Sequence, residues 1–198
     1  MYYYRKIEVL KILIIDNYDS FTFNLYHIIE QYASTVEVTR PDQLNPGQTK
    51  KYDKIVISPG PGLPDDFPGM IQTIGELKEE KSILGICLGF QALVEHFGGK
   101  LTNLDDPLHG ISKKVTRTTT NEPIYKNIPK TFETGRYHSW AIREPDVPKC
   151  FRITSKDNSG YAMSVSHETL NLKGVQFHPE SVLTPYGKAI LENWIKLC

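Results

Sequence analysis

Cysteine is scarce in this chain. Cys87, Cys150 and Cys198 are all it has, and no two of them form a C-x-x-C pair. Three thiols cannot all be bridged, so no disulfide framework is expected and a reducing, cytoplasmic compartment fits best. Long apolar runs are missing as well. A membrane-spanning helix needs about 20 predominantly apolar residues, no stretch approaches that length, and no membrane partner is expected. The start, Met1-Tyr2-Tyr3-Tyr4-Arg5-Lys6, does not read as a secretory leader, because Lys6, Glu8 and Lys11 interrupt any apolar core. Neither sign of charge is in surplus: 23 basic and 23 acidic residues leave a formal charge of +0. No basic patch stands out, so nucleic acid is not an expected partner. Internal repeats and low-complexity segments are absent too.

What is present suits one domain with a sizeable core, since the chain has 198 residues. Ile7 to Ile15 reads as a strand, best defined from Lys11. The polar loop Asp16-Asn17-Tyr18-Asp19-Ser20 follows, and Asp19 or Ser20 suits a helix cap. The next helix carries Phe21, Leu25, Ile28, Ile29 and Tyr32 on one stripe. Val36–Thr39 and Lys54–Ile57 are further strands, and strand–helix–strand order implies parallel pairing under covering helices. Ser58-Pro59-Gly60-Pro61-Gly62 closes the third strand, and Pro68–Lys78 reads as a helix. Beyond Gly99 the texture is Thr-rich and β-prone. Lys114–Thr120, Thr131–Ile142, Phe151–Ser155, Tyr161–Ser166 and Lys173–Phe177 are candidate strands with short polar connections, which suggest antiparallel pairing. Tyr186–Lys196 is a final helix. The expected fold is α/β: an open, mostly parallel sheet with helices on both faces and a partly antiparallel C-terminal portion.

The stretch Ser82-Ile83-Leu84-Gly85-Ile86-Cys87-Leu88-Gly89-Phe90-Gln91-Ala92 begins as a buried strand. It continues as a helix, with Phe90, Leu93, Val94 and Phe97 at i, i+3, i+4, i+7 spacing. Gly98-Gly99 then stops that helix. Cys87 therefore stands at a sharp strand-to-helix corner between Gly85 and Gly89, the arrangement of a nucleophile elbow with sulfur in place of oxygen. The helix start favours negative charge on that sulfur. The competing reading is a buried cysteine between two packing glycines. In an open parallel sheet, ligands bind outside the carboxyl ends of the strands. Strands ending at Ile15, Ile57 and Ile86 deliver Asp19, Gly60 and Cys87 to one edge. Gly60 there is either a bare N–H donor for a substrate oxygen or part of an ordinary tight turn.

A cysteine nucleophile needs a base, and there are six histidines. His27 and His96 fall within helices, His109 and His167 in loops, and His138 in a strand beside Ser139. His178 differs, because Glu180 follows it by two residues just past a strand, where extended backbone points both side chains the same way. The carboxylate is then placed to orient the imidazole, the third role of a triad. A surface histidine with an unrelated glutamate is the alternative.

Gly85-Ile86-Cys87-Leu88-Gly89-Phe90-Gln91 together with His178-Pro179-Glu180 resembles the class I (triad) glutamine amidotransferases. Asp16-Asn17-Tyr18-Asp19-Ser20-Phe21-Thr22, Ser58-Pro59-Gly60-Pro61-Gly62 and His178-Pro179-Glu180-Ser181 narrow the resemblance to the glutaminase subunits of the chorismate-using synthases, those making anthranilate and aminodeoxychorismate. It spans Lys11 to Trp194, so residues 11–198 are read as a single amidotransferase domain and 1–10 as an extension leading into its first strand.

The resemblance implies that glutamine is hydrolysed through a cysteine thioester. Its ammonia would pass to a chorismate-using synthase subunit in a hetero-oligomer. Cys87 would be the nucleophile, His178 the proton carrier and Glu180 its support. The backbone N–H groups of Gly60 and Leu88 would form the oxyanion hole. Gly60, Pro61, Gly62, Gln91, Ser139 and Trp140 would hold glutamine. No cofactor or metal is implied in this chain, whereas the partner synthase is expected to use Mg2+. Two positions depart from the family pattern: Phe90 stands where a histidine is usual, and His109-Gly110-Ile111 where His-Gly-Lys is frequent. A stand-alone cysteine hydrolase of similar architecture and a non-catalytic binding subunit are the competing readings. The Asp16-to-Thr22 and Ser58-to-Gly62 matches oppose the first, and the intact Cys87, His178 and Glu180 oppose the second.

Overall fold

The computed structural model describes residues 9–44 and 46–198. Most of the expected extension 1–10, and the start of the strand read from Ile7, thus lie outside the described residues. The first half runs β1 (Lys11–Ile15), α1 (Thr22–Ile29), β2 (Thr35–Thr39), α2 (Pro46–Thr49), β3 (Lys54–Ile57), α3 (Pro68–Leu77), β4 (Ser82–Ile86) and α4 (Leu88–His96). The second half holds β5 (Thr102–Asn103), β6 (Ile111–Arg117), β7 (Thr131–Arg136), β8 (Trp140–Arg143), β9 (Phe151–Lys156), β10 (Tyr161–His167), β11 (Leu172–Val175) and α5 (Gly187–Leu197).

The main sheet is ordered β2-β1-β3-β4-β11-β10-β9-β6-β7. β2, β1, β3, β4 and β11 are mutually parallel. The pairs β11–β10, β10–β9, β9–β6 and β6–β7 are antiparallel. The expected mixed sheet is therefore present, with its change of direction at β11.

Strand periodicity builds the two faces. Ile12 and Ile14 point to the side covered by Leu25 and Ile29 of α1 and by Ile190, Leu191 and Trp194 of α5. Leu13, Ile15, Ile55 and Ile57 point to the other side, under Met70, Ile74 and Leu77 of α3 and Leu93 and Val94 of α4. These apolar side chains are almost wholly out of solvent. Each contributes roughly 1.5–3 kcal/mol by burial, so a one-residue slip in β1 would turn four of them to the wrong face.

Several boundaries differ from expectation. The run Thr131–Ile142 is broken between β7, which ends at Arg136, and β8, which starts at Trp140, because the chain turns at Tyr137-His138-Ser139. His138 thus lies in a turn, not a strand, while His167 closes β10 instead of lying in a loop. The strand read over Lys114–Thr120 starts earlier, at Ile111, and ends at Arg117, where it is zipped to β7 over Ile111–Thr116. The last strand stops at Val175, two residues before Phe177.

Candidate active site

The carboxyl ends of β1, β3, β4 and β11 meet at one edge of the sheet. β1 and β3 align Ile15 with Ile57, β3 and β4 align Ile57 with Gly85, and β4 and β11 align Ile86 with Val175. The residues just beyond those ends are Asp16–Ser20, Ser58–Gly62, Cys87 and Gln176–Glu180.

Cys87 is held in the elbow read from the sequence. Its backbone has φ 52 and ψ −101, a strained region for a residue with a side chain, at a cost of roughly 1–3 kcal/mol. Its N–H donates to Val175 O at 2.8 Å, and its carbonyl accepts from Gln91 N at 3.0 Å in the first turn of α4. The flanking glycines are required by space. A Cβ on Gly85 would come within 2.7 Å of Phe90 N, and one on Gly89 within 2.8 Å of Ile57 Cβ. Only a bare backbone lets α4 lie this close to β3 and β4.

His178 and Glu180 are both buried. Nδ1 of His178 is 2.6 Å from Oε1 of Glu180. The pair sits in a turn, not in extended backbone, with His178 itself tied by its N–H to Gly135 O at 3.1 Å. The ring is packed by Tyr137, centroids 4.8 Å apart, and edge-on by Phe21 at 6.2 Å. Its buried Nε2 has no hydrogen-bond partner among the described residues. Burial works against a charged ring, but the Cys87 sulfur and the Glu180 carboxylate act more strongly, and His178 is raised well above the ordinary histidine value. Asp19 lies near this pair; burial raises its carboxyl, partly offset by the Phe21 N–H that it accepts at 2.7 Å.

Beside Cys87 a cleft of about 230 Å³ is lined by Gly60, Pro61, Gly62, Gln91, Ser139 and Trp140. Every side-chain or loop position expected to hold glutamine is thus brought together with the elbow. Leu88 lies underneath: a Cβ on Gly60 would stand 2.8 Å from Leu88 Cδ2. Gln91 is nearly spent on the protein, its Nε2 donating to Trp140 O at 2.9 Å and Gln176 Oε1 at 3.2 Å. Only its carbonyl oxygen is left to meet a ligand.

His109, Tyr137 and His138 also line this cleft, and sequence reasoning assigned none of them to it. His138 Nδ1 pairs with Trp140 O at 2.9 Å. Burial, reinforced by the Arg136 charge, pushes its ring down to about 3, so it is neutral at ordinary pH. Gln176 was missed as well. Its amide nitrogen is 3.5 Å from Cys87 Sγ; the available signal was its place two residues before His178, level with the elbow. His27 and His96 stay on their helices, beside Glu30 and Lys78, and take no part in the site.

An elbow cysteine beside a histidine–carboxylate pair on a mixed α/β sheet has the layout of the cysteine-nucleophile α/β enzymes. The chain matches the family Glutamine amidotransferase class-I over residues 13–197 and belongs to it. It is 40% identical over 185 residues to anthranilate synthase component 2 of Lactococcus lactis, covering 93% of each chain. It is 37% identical over 186 residues to aminodeoxychorismate synthase component 2 of Escherichia coli, covering 93% of this chain and 98% of that one. A solved glutamine amidotransferase of Thermotoga maritima, 15% identical, shares the fold with a TM-score of 0.78 over 95% of this chain and 99% of that one. No helix among the described residues is long and apolar enough to cross a membrane.

Proposed function

We propose that this amidotransferase is the glutamine-hydrolysing subunit of anthranilate synthase. It would supply ammonia to a synthase subunit that aminates chorismate. The observation that carries this reading is the His178–Glu180 pair at 2.6 Å beside the strained Cys87 elbow. The relatives named as anthranilate synthase components support the pathway. Aminodeoxychorismate synthase is the second reading, favoured by the relative of that name at comparable identity. The catalytic domain would be residues 11–198.

Glutamine would lie in the cleft on Gly60, Pro61, Gly62, Gln91, Ser139 and Trp140. Cys87 Sγ attacks the side-chain amide carbon, and the carbonyl π electrons move to oxygen, where the N–H groups of Gly60 and Leu88 receive the charge. His178 Nε2 delivers its proton to the amide nitrogen, the C–N bond breaks, and ammonia leaves a glutamyl thioester. His178, now neutral, takes a proton from water as the water oxygen attacks the thioester carbon. Collapse releases glutamate and returns the sulfur. Glu180 holds the ring and stabilises its charged form without moving a proton itself. No step needs a metal or cofactor from this chain; the synthase subunit would bring its own Mg2+. A cysteine that must stay reduced suits the cytoplasm.

Ammonia released into water is protonated and diluted, so a subunit of this kind gains by hydrolysing glutamine only when docked. One preorganised oxyanion donor is worth roughly 3–4 kcal/mol, or about two to three orders of magnitude in rate. Steady-state glutaminase assays of the chain alone, with its synthase, and with synthase plus chorismate should show a rise of that order. Full turnover by the isolated chain would favour a stand-alone amidase instead.

A further inference from the structure

We propose that Asn17 is the positioning residue of the Gly60 loop, holding the Gly60 N–H where an oxyanion develops. This rests on the reading of Gly60 as an oxyanion donor. Asn17 is two residues beyond β1 and fully buried. Because β1 and β3 end in register and Ser58 N donates to Ile15 O at 3.0 Å, Asn17 is brought directly against Ser58. Its main-chain N–H donates to Ser58 Oγ at 2.9 Å, and its side-chain Nδ2 donates to Ser58 O at 2.9 Å. Ser58 Oγ in turn donates to Pro59 O at 2.6 Å. The chain from Asn17 thus runs unbroken to the peptide that precedes Gly60.

Asn17 is also the surface on which Gly60 rests. A Cβ on Gly60 would stand 2.7 Å from Asn17 Cβ and 2.7 Å from Asn17 O. Leu88, the other expected oxyanion donor, packs at the same point, with its Cδ2 2.8 Å from that Cβ position. With Pro59 and Pro61 on either side of it, the Gly60 peptide has little freedom of its own, so its placement depends on this contact. The Oδ1 atom of Asn17 is buried without a partner among the described residues. A buried orphan acceptor is a penalty that an apolar residue of the same shape would avoid. What an apolar residue cannot supply is the Nδ2 donor to Ser58. Asn17 is not among the residues that line the cleft, so it would act through Gly60.

The test compares a reaction that needs an oxyanion hole with one that does not, in the complex of this chain with its synthase. Alkylation of Cys87 by iodoacetamide displaces iodide at a saturated carbon and forms no oxyanion. For Asn17→Ala, glutamine hydrolysis should lose about 100-fold in kcat, the usual effect of misplacing a donor by an ångström. KM should stay within about threefold and the alkylation rate within about twofold. Ser58→Ala, a milder change that keeps the fold if Asn17→Ala does not, should lose about tenfold in kcat with the same unchanged alkylation. The double variant should be no worse than Asn17→Ala alone, because the two residues act as one unit. A kcat within threefold of the parent, or alkylation that falls in step with turnover, would overturn the proposal. A parent complex that is alkylated at Cys87 yet hydrolyses no glutamine would instead strike the amidotransferase reading, and this proposal with it.

Discussion

His178 and Glu180 meet across a two-residue turn, Nδ1 to Oε1 at 2.6 Å, with both side chains almost wholly out of solvent. A carboxylate so placed can take nothing from water and gives its whole effect to one imidazole. Its second oxygen, Oε2, is buried without a hydrogen-bond partner among the described residues. The pair therefore separates two roles, carrying a proton and holding the carrier.

That separation predicts unequal losses. His178→Ala removes the proton carrier and should abolish measurable glutamine hydrolysis. Glu180→Gln keeps an acceptor for Nδ1 but removes the charge, and should cost roughly one to two orders of magnitude less, as orienting groups usually do. kcat/KM for both variants in the synthase complex decides it. Equal, complete loss in folded protein would show that the carboxylate does more than hold the ring.

Two buried histidines make opposite demands on pH. His178 is raised, so the stability it contributes is fully present below the ordinary value of 6.5 and is lost as pH rises through its raised value. His138 is pushed down to about 3, so it stays neutral in the fold while the unfolded chain takes up a proton below 6.5. Its contribution is lost as pH falls from 6.5 toward 3. His138→Gln should flatten the fall in melting temperature between pH 6.5 and 4.5. An unchanged slope would mean that His138 is already charged in the folded protein.

Phe90 departs from the histidine that the family resemblance leads one to expect, and the structure gives it a packing role. It is fully buried, and a Cβ on Gly174 of β11 would come within 2.6 Å of its ring. Phe90→His should leave turnover per folded molecule nearly unchanged. It should lower stability by about 1–3 kcal/mol, the cost of a buried polar group without a partner, which thermal unfolding reads as roughly 2–4 °C per kcal/mol. A change in turnover without a change in stability would show that this position tunes the sulfur.

Much of this site is legible in the sequence, for reasons that can be named. Lys54–Ile57 is a short apolar run before a Pro-Gly loop, and its strand falls where the run predicts. Cys87 between Gly85 and Gly89 encodes the elbow locally, since the chain cannot turn that tightly with larger neighbours. What escapes is set by distant pairing. Arg136-Tyr137-His138 has nothing in its composition to end a strand, yet β7 ends at Arg136, and beyond it the His138 carbonyl accepts from the loop residue Leu108 at 3.0 Å. Gln176 looks like strand interior and reaches Cys87 only because β11 lies next to β4. The cleft-lining His109 and Tyr137 depend on the same long-range closure.

If Cys87 releases ammonia for a separate synthase active site, one substitution separates the two. In the complex with the synthase, product formation from chorismate should be measured for Cys87→Ser with glutamine and, separately, with an ammonium salt as nitrogen donor. Glutamine-dependent synthesis should vanish while ammonia-dependent synthesis keeps the parent rate. In the parent protein, a glutamine-analogue electrophile should add its mass at Cys87 alone. Glutamine-dependent synthesis that survives in Cys87→Ser, with label found at Cys150 or Cys198, would contradict the account.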